Sequence, residues 1–172
     1  TGMVGETAPT VETDLGSVQC TRSPSGWRAY IPAAYNASAG AHDVTLTVNG
    51  EVLTKTLTVL PKDFGTAEVE AEPAPTEAAN TEFRNSIWPL YEQPAQEKLW
   101  SGGFVCPAED YLVLLDFGQI KITNGQQGSK SNSTKLYTIP GDPARAPANG
   151  TVAFAGNLAL TGSTVVIDHG CG

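Results

Sequence analysis

The chain has 172 residues, 40% of them hydrophobic, enough to bury one large core or two small ones; 18 glycines and 12 prolines favour many turns and short strands over long helices. A formal net charge of −8 leaves no basic footprint of the kind phosphate backbones require, which argues against nucleic acid as a partner. The longest mostly apolar run, residues 152–167, is broken by Asn157, Gly162 and Ser163 and is too polar to cross a bilayer.

Residues 1–10 are small and polar and read as a disordered start. Thr1-Gly2-Met3 opens without a charged or apolar leader, so a signal peptide is expected to be absent, removed or upstream. Residues 11–66 read as a β module. Gly26 to Pro32 alternates modestly, and Val44-Thr45-Leu46-Thr47-Val48 alternates cleanly. Asn49-Gly50 follows, a strong hairpin signal, because both central positions of a type I′ turn need positive φ. The return strand, 52–60, places Leu53, Leu57 and Val59 on one face. Lys55 falls on that same face and predicts an exposed edge or imperfect alternation.

Residues 67–99 read as a linker carrying one short helix. Residues 68–79 are rich in Glu, Ala and Pro. Thr76 is placed to cap a helix through Arg84 or slightly beyond, with Ala79, Phe83 and Ile87 in i, i+4 steps and Pro89 and Pro94 expected to interrupt it. From Phe104 the pattern is β again. Tyr111-Leu112-Val113-Leu114-Leu115 suits a buried strand, residues 125–134 read as an exposed polar loop, and Val165-Val166-Ile167 reads as a second buried strand. The chain stops soon after that last strand, which suggests a fragment of a longer protein.

Four pieces then occur in a telling order. They are Leu99-Trp100-Ser101-Gly102-Gly103-Phe104-Val105-Cys106-Pro107, Asp116-Phe117-Gly118 with Asn124-Gly125, Gly141-Asp142-Pro143 with Ala146-Pro147-Ala148-Asn149-Gly150-Thr151-Val152, and Thr164 to Gly172 with its Asp168-His169-Gly170-Cys171-Gly172 end. Residues 100–172 thereby resemble the N-terminal half of a LytM-like zinc endopeptidase domain, the M23 family. Tyr30 to Gly40 more loosely resembles the immunoglobulin-like module that precedes such domains in secreted proteins, so residues 11–66 are expected to be immunoglobulin-like. The resemblance implies an all-β fold, a small β-sandwich-like module followed by an incomplete M23 β-barrel or sheet.

One departure matters most. The family places His-x-Gly-x-Asp ahead of a proline. Counting back from Pro140 puts Asn132 at the His position and Leu136 at the Asp position, and no His, Asp or Glu lies between Gly118 and Pro140. Zinc takes imidazole, thiolate or carboxylate, so these positions supply no ligand pair. The family's His-x-His lies past the last residue here. His169 stands alone, and a lone His of this kind is more often structural or groove-lining than a ligand.

Three cysteines, Cys20, Cys106 and Cys171, leave at least one thiol unpaired within the chain. Cys106 and Cys171 are the best candidate pair, with three free thiols the standing alternative. His42 sits beside Asp43 in what reads as a loop leading into a strand, and Cys171 is two residues from His169 without a third orienting group. Glu109, Asp110 and Asp116 are acidic, but nothing fixes a glycosidase separation. Asn36, Asn132 and Asn149 match a glycosylation pattern that has no meaning in a bacterium.

The expectation is a secreted bacterial, cell-wall-associated pseudoenzyme that needs no cofactor and binds peptidoglycan stem peptides or a wall hydrolase. Asn124, Asn132, Tyr137 and His169 are its candidate groove residues by motif position. The alternative is an active zinc endopeptidase cleaving peptidoglycan cross-links once a C-terminal part is present. A purely structural surface protein is a third reading.

Overall fold

The structure, a computed structural model, describes residues 7–93 and 95–171. Most of the expected disordered start, together with Pro94 and Gly172, lies outside the described residues. The chain's regular structure is mostly strand, in several small sheets, with one helix. Among the described residues none of these sheets closes into a barrel.

The first half holds β1 (Thr10–Thr13), β2 (Cys20–Ser23), β3 (Gly26–Ala29), β4 (Gly40–Val48) and β5 (Glu51–Val59). β2 and β3 form a hairpin, and β1, β4 and β5 form an antiparallel sheet in that order. Asn49 (φ 50°) and Gly50 (φ 84°) make the expected tight turn between β4 and β5. β5 is the sheet's outer strand, so the edge position expected for Lys55 is realised, with Lys55 opposite the buried Val44. Val44 and Val48 are the buried apolar residues of this sheet.

β6 (Thr66–Glu68) runs parallel to β8 (Ile120–Thr123), and β8 pairs antiparallel with β9 (Gln126–Lys130). β9 corrects the loop expected over residues 125–134. Asn124 (φ 52°) and Gly125 (φ 72°) form a second tight hairpin turn, and the polar residues after it pair with β8 along an exposed edge, with a register shift between Ile120 and Ile122. Gly118 (φ 84°) packs flat against Phe64, and any Cβ there would collide with the ring.

The helix α1 (Glu77–Tyr91) starts where expected: the Thr76 side chain accepts from the Ala79 amide at 3.2 Å. Ala79 and Ile87 are buried, Phe83 is half-buried between them, and this stripe faces β11 (Thr151–Leu158). The helix outlasts the expectation, because Pro89 lies inside its last turn. Proline there removes only the partner of the Asn85 carbonyl, and Asn85 is exposed, so water can take that bond.

β7 (Leu112–Leu115) pairs with β10 (Lys135–Tyr137), and β11 pairs with β12 (Gly162–Asp168). Both are two-stranded ribbons, and this overturns two burial expectations. In β7 only Leu115 is buried, while Leu112, Val113 and Leu114 are exposed; in β12 Val165 is exposed and Val166 and Ile167 are half-buried. An apolar run calls for cover, but a two-stranded ribbon supplies it on neither face unless another layer packs there.

Candidate functional site

Three of the four motif segments converge. Val105 donates to the Pro147 carbonyl at 2.9 Å, and Arg145 donates to the Pro107 carbonyl at 2.8 Å, so the lead-in segment and the Gly-x-Pro segment lie side by side. The Arg145 guanidinium adds a 3.1 Å bond from Nε to the Cys106 carbonyl. At the other end of the lead-in segment, Leu99 donates to the His169 carbonyl at 2.9 Å, and Cys171 donates to the Ala95 carbonyl at 2.8 Å.

Asp168 fastens this seam. One carboxylate oxygen accepts from the Ala95 amide and the other from the Gly170 amide, each at 2.7 Å. Gly170 (φ 83°) lies so close to the Glu97 carbonyl that a Cβ would collide with it. The Asp-His-Gly signature is therefore used locally to dock the end of β12 against residues 95–99.

His169 is oriented from both sides. Its Nδ1 is 2.8 Å from the Asn149 carbonyl, an acceptor, so Nδ1 donates to it. Its ring stands edge-on to Phe104, with centroids 4.8 Å apart. The aromatic contacts continue from Phe104 to Trp100 at 5.7 Å and from Trp100 to Tyr30 at 5.5 Å, linking the β module to the end of β12. Lys98 places its ammonium 4.8 Å over the Trp100 ring. Tyr30, Trp100, Phe104 and Asn149 were not singled out as site residues from sequence. Trp100 and Phe104 share the lead-in segment, but Tyr30 and Asn149 come from distant parts of the chain, and no spacing among the four signals the row.

The other predicted groove residues stand elsewhere. Asn124 is at the tip of the β8–β9 hairpin, and Asn132 lies past its opposite end, beyond the pairing of Ile120 with Lys130. A strand of four or five residues, roughly 3.3 Å each, separates them. Tyr137 is exposed on β10 opposite Leu112. Among the described residues no hydrogen bond or ring contact joins any two of Asn124, Asn132, Tyr137 and His169.

The two positions where the resemblance would place metal ligands, Asn132 and Leu136, are defined by their neighbours. Ser131, buried, donates its hydroxyl to the Ser133 carbonyl at 2.7 Å and shapes the loop that exposes Asn132. Leu136 is half-buried and pairs with Val113. An exposed carboxamide and an aliphatic side chain do not fit zinc. Among the described residues no group of three or more His, Cys, Asp or Glu side chains is arranged to hold a metal.

The remaining motif segment, which begins at Asp116-Phe117-Gly118, braces this loop. Asp116 accepts from Thr134 at 3.2 Å, and Gly118 and Ser131 are joined through a 2.8 Å backbone bond. Glu72 and Lys135 form an exposed ion pair at 2.9 Å, and that bond and charge lower the Glu72 pKa.

All three cysteines are free thiols, so the candidate Cys106–Cys171 pair is not formed; the Cys171 sulfur instead sits 3.5 Å from the Thr21 hydroxyl. His42 lies within β4, not in a loop ahead of it, and its partner is Asp14, not Asp43. Nδ1 meets the Asp14 carboxylate at 2.9 and 3.0 Å, and Nε2 meets the Ser38 carbonyl at 2.8 Å. Both nitrogens face acceptors, so the doubly protonated ring satisfies both. The Ser38 bond, then the Asp14 bond, raise the His42 pKa.

No protein-family profile and no curated protein matches the chain. Four solved chains match. One is a Pseudomonas aeruginosa protein provisionally named as a peptidase M23, 14% identical, with a TM-score of 0.48 over 98% of this chain. The present chain spans 64% of that neighbour's length.

Proposed function

We propose that this chain is a secreted, non-catalytic relative of the M23 endopeptidases that binds peptidoglycan stem peptides at the bacterial cell wall. The observation that carries the reading is the pair of ligand positions, occupied by Asn132 on an exposed loop and Leu136 in β10. The resemblance of residues 100–172 supplies the wall context, and the replaced ligands remove the means of polarising a peptide bond by zinc.

The surface next to these positions supports a binding role. Leu112 (66% exposed) faces Tyr137 (56% exposed) across the β7–β10 ribbon, with Val113 and Ile139 exposed nearby. Neither strand has a second strand partner among the described residues, so their outer backbone groups are open to an extended peptide. Backbone pairing would then supply affinity and the apolar side chains specificity. A wall hydrolase presenting an extended segment is the second partner class this surface fits.

The test is co-sedimentation with purified sacculi, followed by elemental analysis of zinc-exposed protein and an assay for cleaved cross-links. Retention that weakens in Tyr137→Ala, with no zinc bound and no cleavage, is the expected result. Loss of retention on sacculi removes the stem-peptide reading. About one zinc per chain together with cleavage restores the enzyme.

A further inference from the structure

The β module holds a cleft that the wall-binding reading does not use. It lies between the β1–β4–β5 sheet and the β2–β3 hairpin and has a volume of about 340 Å³. That is within the roughly 300–1,000 Å³ of small-molecule sites. Its walls are largely apolar, with Val11, Val44 and Leu46 from the sheet and Trp27 and Ile31 on the hairpin side. Leu53 and Leu57, on the outer strand β5, border the opening and are partly exposed.

The charges around this cleft are one-sided. The chain has 18 acidic and 10 basic residues, yet the lining contains Arg28 and Lys55 and no Asp or Glu. Lys55 sits between Leu53 and Leu57 on the face of β5 that lines the cleft, opposite buried Val44, and is itself exposed. Among the described residues neither Lys55 nor Arg28 has an ion-pair partner. An ammonium beside apolar walls is best matched by a ligand with a carboxylate at one end and hydrocarbon behind it.

We propose that this cleft binds a free medium-chain fatty acid, its alkyl chain between the sheet and the hairpin and its carboxylate paired with Lys55. A neutral hydrocarbon would gain nothing from the ammonium, and an alkyl cation would be repelled by both lining cations. The cleft carries its own reporter, because Cys20 is a free thiol in its lining.

The experiment uses the full chain with Cys106→Ser and Cys171→Ser, so that maleimide reads Cys20 alone. Dodecanoate, kept below its micellar concentration, is expected to slow labelling saturably, and dodecyltrimethylammonium is expected not to. Lys55→Met should raise the dodecanoate concentration for half-protection about fivefold, the equivalent of about 1 kcal/mol. Detergent-like unfolding would accelerate labelling, so its sign is opposite. Equal protection by both amphiphiles, or none, overturns the proposal and leaves Lys55 as a charge that guards the sheet edge. Where Cys20 is unreactive without ligand, calorimetric titration of dodecanoate decides: saturable one-to-one binding supports the site, and its absence overturns it.

Discussion

Removing the Asp168 carboxylate is the sharpest test of how the motif segments are held together. Asp168→Ala deletes two acceptors at 2.7 Å and leaves the Ala95 and Gly170 amides to find other partners in a half-buried seam. Hydrogen bonds to a charged group contribute about 1.5–3 kcal/mol each. Partial exposure favours the lower end, so the loss is about 3 kcal/mol. For a chain of this length that corresponds to about 6–12 °C in Tm. Asp168→Asn keeps one acceptor but turns an amide NH₂ toward the second backbone donor, so its loss is about half as large. Urea unfolding gives both values, and hydrogen exchange at the Ala95 and Gly170 amides locates them. Wild-type stability and unchanged exchange in Asp168→Ala would refute the claim that this carboxylate fastens the end of β12 to residues 95–99.

Three further outcomes are expected. Gly118→Ala combines a strained positive φ with a collision against Phe64 and should lose about 2–5 kcal/mol in chemical denaturation. Ile87→Ala, at the fully buried centre of the helix stripe, should lose about 2–5 kcal/mol, whereas exposed Trp88→Ala should change the unfolding midpoint far less. The raised His42 pKa makes its contribution fully present below the unfolded value of about 6.5. That contribution is lost as pH rises through the higher folded pKa, so the stability gap between wild type and His42→Gln should shrink between mildly acidic and alkaline pH; a gap that grows would exclude a protonated His42.

The two Asn-Gly turns show what local sequence can carry. Both adopt positive φ at both central residues. The first was legible because apolar residues alternate around it, and the second was hidden because Gln126, Gln127, Gly128, Ser129 and Lys130 give no alternation to read. The Thr76 cap and the Ala79, Phe83, Ile87 stripe were legible because capping and helical spacing act within one element. Pro89 was misread as a stop because proline's cost depends on which carbonyl loses its partner. The exposure of Leu112 to Leu114 was not legible: a run of apolar residues records what a strand could bury, while a covering layer is a tertiary property. In the site, the Asp-His-Gly end and its companion segments were readable as a pattern. The row Tyr30, Trp100, Phe104, His169 was not, because its members meet only after the chain has folded.

The seam between residues 95–99 and 168–171 also bears on the order of events as the chain folds. Its Asp168–Ala95 bond spans 73 residues. Closing a loop of that length costs about 4 kcal/mol beyond a constant, before any contact across it is gained. The hairpins β4–β5 and β8–β9 need only local closure, so they form on faster timescales. On that cost the seam is expected to form after both hairpins, and exchange at the Ala95 and Cys171 amides should follow opening events that leave both Asn-Gly hairpins intact.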